Sequence, residues 1–160
     1  MSTLVSVRGG FNEAQVLDAF AGSGALGFEA LSRGAATATF YEKDAGAVRV
    51  LRQNAACLGL GLTEHAIYQG DVFKHHPRFT GKAFDLVFLD PPYDVAFEKI
   101  LRMLDALHSE AVIAPDAIIS YEHARRNDEA YQKGYGVSGW NSIASKAYGD
   151  TAIDILQHNV

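Results

Sequence analysis

The 160-residue, 17.3 kDa chain falls within the ~100–200 residues typical of one domain, and a hydrophobic content of 48% supplies a core and excludes wholesale disorder. With Lys+Arg 14 against Asp+Glu 19 the net charge is −5, so nucleic-acid binding through the overall charge is excluded and any such contact needs a local patch. The lone Cys57 rules out an internal disulfide or a Cys-based zinc site, no run reaches the ~18 apolar residues of a membrane span, and the chain is expected to be a soluble cytoplasmic protein with residues 1–160 as a single domain.

Short apolar runs alternate with helix-length amphipathic stretches, the pattern of an α/β fold with a mostly parallel sheet and helices on both faces. The first strand is predicted at 15–20 (QVLDAF) and runs into a helix at 24–32. A strand at 38–41 (ATFY), a helix at 45–58 that carries Cys57 in or near the core, and strands at 65–69 and 85–89 follow. The helix at 97–107 repeats apolar residues at Phe97, Ile100, Leu101, Leu104 and Leu107, which makes one buried stripe. After a strand at 117–122 (AIISYE), residues 127–141 are rich in Gly and Tyr with little periodicity and read as loop or irregular strand. Tyr131, Tyr135 and Trp140 there either pack in the tail or flank a pocket. The segments 146–148 and 152–156 are joined by Gly149-Asp150, a hairpin-turn signal, so an antiparallel pair is expected to complete a seven-stranded sheet.

The strongest local feature is DAFAGSGALG from Asp18 to Gly27, a strand entering a glycine-rich turn and then a helix. Gly22 and Gly24 permit positive φ and close approach of a ligand to the backbone, and the helix brings its positive N-terminus. The string satisfies G-x-G-x-x-G, which is weak alone and gains from the strand and helix around it. Glu42 ends the second strand twenty positions after Gly22, where a carboxylate accepts hydrogen bonds from both ribose hydroxyls; alone it reads equally well as a solvated turn residue. Asp71 after the third strand reaches an adenine amino group, or caps a short helix toward Phe73. With Phe20, Lys43 and Val72 beside them, these residues describe an adenosine pocket across the carboxyl ends of the strands. Asp18, inside the end of the first strand and four residues before Gly22, faces the cationic amino-acid portion of S-adenosylmethionine through the loop or a water and repels a dinucleotide pyrophosphate.

The most specific string is Leu89-Asp90-Pro91-Pro92-Tyr93 after the fourth strand. Two prolines remove backbone donors and fix φ, leaving carbonyls free in a rigid extended segment. An exocyclic amine on a base ring is a poor nucleophile because its lone pair is delocalised. Asp90 and the Pro91 carbonyl can hold its N–H groups, the carboxylate stabilises the charge that develops during methyl transfer, and Tyr93 stacks on the base. The alternative is a turn with a capping Asp and a packed Tyr.

The run VLDAFAGSGALGFEALSRGA (16–35), with FYEKD (40–44), NAACLGL (54–60), GDVF (70–73) and LDPPY (89–93), resembles the RsmD-type bacterial 16S ribosomal RNA (guanine-N2)-methyltransferases. The resemblance implies a class I Rossmann-like methyltransferase fold, S-adenosylmethionine as donor, and a guanine N2 amine of 16S ribosomal RNA as acceptor, in a small-subunit assembly particle and with the protein a monomer. Asp18, Gly22 and Gly24 match the family's donor loop, Glu42 its ribose carboxylate, Asp71 its adenine contact, and Asp90, Pro91, Pro92 and Tyr93 its catalytic loop. Family members carry a longer segment before the first strand; here the N-terminus is shortened, and residues 1–14 read as a remnant of that RNA-binding extension, with residual helix at 7–12. The Asp-Pro-Pro-Tyr motif is shared with adenine-N6 and other amino methyltransferases, which stays open as an alternative, as does a donor-binding module without RNA activity. Lys74, His75, His76, Arg78 and Lys82, and again Arg125 and Arg126, either touch phosphates or are solvated loops. No metal is expected, since His75-His76 lacks partners at ligand spacing, and Ser23 has no triad around it.

Overall fold

The computed structural model describes residues 1–159, with the backbone alone at 127 and 128. In chain order the elements are α1 (Ser2–Arg8), β1 (Gln15–Asp18), α2 (Ala25–Ser32), β2 (Thr37–Glu42), α3 (Ala45–Cys57), β3 (His65–Gln69), β4 (Phe84–Leu89), α4 (Phe97–Ser109), β5 (Ile113–Ala124), a 3₁₀ turn at Arg125–Asn127, α5 (Asp128–Ser138), β6 (Trp140–Tyr148) and β7 (Thr151–His158). The seven strands form one sheet in the order β3-β2-β1-β4-β5-β7-β6, parallel through β5 and antiparallel at β7 and β6.

Each face of the sheet carries its own core. On one side Leu4 of α1, Phe28 of α2 and Leu51 of α3 pack on Val16, Phe40, Leu86 and Phe88. On the other, the predicted stripe of α4 joins Tyr131 and Tyr135 of α5 against Leu17, Val87, Leu89 and Ile119. Strand alternation explains the division, since successive residues of β4 serve opposite faces. The parallel order reverses direction at β1 and β4, and the crevice outside their carboxyl ends is where ligands settle in such sheets.

Three expectations are corrected. Residues 127–141 are neither loop nor irregular strand: α5 fills most of them and β6 begins at Trp140. The tyrosines four apart supply the apolar stripe that holds α5, and Trp140 is buried with its indole N–H donating to Asp105 Oδ1 at 2.8 Å. The N-terminal helix lies at Ser2–Arg8 instead of 7–12, because Gly9 takes the left-handed conformation (φ 83°) and ends it. Cys57 is exposed in the last turn of α3, on the solvent side of the stripe made by Val48, Leu51 and Ala55.

Candidate active site

The loop between β1 and α2 is built by packing as much as by conformational need. Gly24 has φ 86°, and a Cβ there would lie 2.4 Å from both Leu51 Cδ1 and Phe28 Cε2, so side chains are excluded on two counts. Gly22, at φ 55°, meets nothing within 4 Å on its Cβ side and leaves the backbone open toward the cleft. Asp18 lies beneath the loop, 2% exposed, and its Oδ2 accepts the Gly27 N–H at 3.1 Å, tying the strand end to the first turn of α2. Desolvation, opposed by that hydrogen bond and reinforced by Asp90 and Glu42, raises its pKa to about 7.

Above the loop opens a cleft of ≈ 540 Å³ at the carboxyl ends of the parallel strands, within the size range of small-molecule sites. Phe20, Gly22, Glu42, Lys43, Asp71, Val72, Asp90, Pro91, Pro92 and Tyr93 all line it, so positions separated by some seventy residues in sequence converge. Asp18 and Gly24, the other two sequence candidates, are not in its wall; they shape the loop from below.

Glu42 is no solvated turn residue. Its Oε2 accepts the Gly22 N–H at 2.8 Å and its Oε1 the Asp44 N–H at 2.8 Å, while Asp44 caps α3 through Ala47 N–H. The N–H that a dinucleotide phosphate would seek therefore already faces a carboxylate. Asp71 Oδ1 accepts the Phe73 N–H at 2.9 Å in a turn, not at the start of the short helix that the sequence offered as one reading, and Asp71 also lines the cleft. Tyr41, Val72 and the tilted pair Phe20 and Phe73, 5.5 Å between centroids, give an apolar wall beside these carboxylates. Carboxylates near vicinal-hydroxyl reach, an apolar wall and an excess of acidic over basic groups together fit an adenosine that carries a positive charge.

Asp90 follows the last residue of β4, and the two prolines leave the strand ladder after it. Desolvation in the cleft holds its carboxyl above the usual carboxylate range. Tyr93 is 60% exposed, with its hydroxyl 3.2 Å from Thr151 Oγ1 at the start of β7, so the hairpin orients the ring that the sequence assigned to stacking. Arg125 and Arg126 are exposed and border a concavity with Tyr93, Gly149 and Asp150, next to the mouth.

Sequence reasoning missed Tyr41, Phe73, Lys99 and Glu122 in the cleft wall. Lys99 lies 4.2 Å over the Phe73 ring, a cation–π contact across α4 and the turn after β3. Glu122 was included as the end of a strand without a task; its place beside Asp90 follows from strand order, which no local pattern reveals. Among the described residues no group of three or more His, Cys, Asp or Glu side chains is arranged to hold a metal ion, and no helix is long and apolar enough to cross a membrane.

Comparison with known proteins places this geometry in context. A family model described as "Conserved hypothetical protein 95" matches residues 3–157. The ribosomal RNA small subunit methyltransferase D of Haemophilus influenzae is 36% identical over 113 residues, 69% of this chain and 57% of that protein. Its namesake in Escherichia coli strain K12 is 36% identical over 115 residues, 72% of this chain and 56% of that protein. The solved structure of the Escherichia coli methyltransferase yhhF superposes with a TM-score of 0.80 at 29% identity, covering 99% of this chain and 83% of that one. The chain spans between 56% and 62% of the length of the first curated relatives it matches. The sheet order and the neighbours agree on a class I methyltransferase fold.

Proposed function

The chain belongs to the RsmD-type family, described as Conserved hypothetical protein 95, and from that membership we propose that it transfers a methyl group from S-adenosylmethionine to the exocyclic N2 amine of a guanine in 16S ribosomal RNA. The observation that carries the reading is the single cleft in which the loop and Glu42 and Asp71 on one side meet Asp90, Pro91, Pro92 and Tyr93 on the other. S-adenosylmethionine supplies, when bound, an electrophilic methyl group on a positively charged sulfur. Glu42 and Asp71 hold the adenosine portion, Gly22 lets it lie against the backbone, and Phe20, Val72 and Phe73 exclude water from the base.

Asp90 and the Pro91 carbonyl accept the two N–H groups of the acceptor amine and turn its lone pair toward the donor. As nitrogen gains a bond to the methyl carbon, the methyl–sulfur bond breaks and its electron pair stays on sulfur, leaving S-adenosylhomocysteine; nitrogen becomes positive, and the Asp90 carboxylate stabilises that charge in a partly desolvated setting. One N–H proton then leaves to Asp90 or to water, so the product amine is neutral and carries one methyl in place of one hydrogen. The raised pKa of Asp90 suits it to receive that proton. Tyr93 fixes the base plane and Arg125 and Arg126 hold phosphates beside it. Residues 1–14 contribute to the RNA side, since Met1 and Thr3 border the recess next to Asp90. The acceptor is a small-subunit assembly particle in the cytoplasm, and the protein acts as a monomer.

A tritiated-methyl transfer assay on small subunits lacking the modification, followed by nucleoside analysis, tests the reading. The expected product is N2-methylguanosine. N6-methyladenosine would replace the acceptor, and donor binding by calorimetry without any transfer would leave a donor-binding module.

A further inference from the structure

We propose that Glu122 and Lys146 read the Watson–Crick edge of the acceptor base and select guanine, while Asp90 holds its amine. The proposal rests on the guanine-N2 reading above and assigns that reaction two specificity residues.

The sheet itself sets the residues in a row. β4 and β5 pair in parallel through Leu89↔Tyr121, so the next step of both strands brings Asp90 beside Glu122. Glu122 pairs with Ile153 of β7, and Ile153 with Lys146 of β6. With strands about 4.8 Å apart, the order across one rung is carboxylate, carboxylate, apolar spacer, ammonium. All four residues line one recess of about 50 Å³, which admits the edge of a purine and not its body. Asp90 and Glu122 also line the large cleft, so recess and cleft meet at the two carboxylates.

The chemistry of that row complements one base. Guanine presents two N2–H donors, an N1–H donor and the O6 acceptor in sequence along its edge. Asp90 accepts from N2–H, Glu122 from N1–H, and the Lys146 ammonium donates to O6. Adenine presents a lone pair at N1, which a carboxylate repels, and an amine where Lys146 requires an acceptor. Among the described residues neither Asp90 nor Glu122 accepts a hydrogen bond from the protein, in contrast to Glu42, whose oxygens are both occupied. Desolvation first and the neighbouring Asp90 second raise the Glu122 pKa. Asp90 is exposed and Glu122 half-buried, so water reaches both in the free protein; the two adjacent carboxylates repel each other, and the guanine edge brings N–H groups that offset that repulsion. Lys146 is exposed at the rim, its ammonium 5.0 Å from the Tyr148 ring centroid, free to swing toward the base.

The test uses the full chain and small subunits whose 16S RNA carries, at the mapped target, either guanine or 2-aminopurine, which keeps the N2 amine and lacks both N1–H and O6. In Glu122→Gln the amide can donate to the N1 lone pair of 2-aminopurine, so the preference for guanine, as a ratio of kcat/KM values, should fall at least tenfold. In Lys146→Met transfer to guanine should fall about tenfold or more, with transfer to 2-aminopurine unchanged, because only guanine loses a partner. Calorimetry with S-adenosylmethionine confirms that each variant is folded; if Glu122→Gln fails that check, the exposed Lys146→Met decides alone. Loss of transfer by the same factor on both bases, or an unaltered ratio, would overturn the assignment while leaving the guanine-N2 reading intact. Absence of N2-methylguanosine with the wild-type protein would remove that reading and the assignment together.

Discussion

Glu42 and Asp90 are carboxylates at the ends of β2 and β4, the parallel strands that flank β1, and their partners give them different tasks. Glu42 accepts from Gly22 and Asp44 and so shapes the loop, and in the proposed function it faces the donor's sugar. Replacing it with Ala should weaken S-adenosylmethionine binding about 10- to 100-fold, the loss of one or two hydrogen bonds to a charged group; a titration calorimeter measures this, and an unchanged dissociation constant would remove the ribose contact. Among the described residues Asp90 accepts no hydrogen bond from the protein and lines the cleft, and in the proposed function it faces the acceptor. Asp90→Asn should lower turnover by a factor on the order of 10²–10³ with donor affinity within about threefold of wild type, because the variant keeps shape and loses charge. Single-turnover kinetics at saturating donor separates the two effects. Equal turnover in the variant would end the catalytic assignment. Both residues were legible in the sequence because each sits at a fixed offset from a strand end. Glu122 was not, since its relevance depends on which strands are neighbours.

At the scale of elements, α5 is the instructive case. Its sequence carries Gly134 and Gly136, each costing about 1 kcal/mol of helix propensity relative to Ala, and the segment reads as irregular. Tertiary packing reverses this: Phe97 stacks on Tyr131 at 4.3 Å between centroids and meets Tyr135 edge-on at 5.2 Å. Gly134 lies between the tyrosines, and a Cβ there would stand 2.2 Å from Phe97 Cε1. Gly134→Ala should therefore destabilise the protein by about 1–2 kcal/mol despite the better helix former, overpacking exceeding the propensity gain. Urea unfolding followed by circular dichroism checks the sign; a stabilised variant would mean that Phe97 moves without cost. Because Phe97 opens the helix that follows Tyr93, displacement there should also reduce activity. The tyrosine pair at a spacing of four was the one available signal, and the glycines masked it.

For the whole molecule, the two-faced core leaves two acidic groups inside, Asp154, which is paired with His123 and Tyr135, and Asp18. Asp18 is buried beneath the loop with a pKa of about 7, against about 4 in the unfolded chain. The folded form thus binds a proton that the unfolded form releases, and the contribution of Asp18 to stability is greatest below about pH 4, declines as pH rises toward 7 and is level above it. Between pH 5 and pH 7 the decline from this group is about 2 kcal/mol. Asp18→Asn retains an acceptor for the Gly27 N–H and cannot ionise, so its stability should fall less than wild type over that interval. Thermal melts of both proteins across this range measure the difference, and parallel profiles would show that Asp18 stays charged when folded. The same burial keeps Asp18 out of the cleft wall, and it meets the loop through the Gly27 N–H.

The sequence by itself determined the α/β class, the glycine loop, the Asp-Pro-Pro-Tyr segment and the acidic residues at strand ends, because these depend on contacts within a few residues. Apolar periodicity located α4 and five strands to within a few positions, and the Gly149-Asp150 turn located the hairpin. Only the tertiary structure decided that α5 is a helix, that Gly9 ends α1, and that Trp140 and the tyrosines are core. It also decided that Glu122 and Lys146 share one rung through Ile153 and border one recess with Asp90, just past the end of β4. Each of these turns on strand order and on packing between distant segments, whose free energy exceeds local preference and leaves little trace in local pattern.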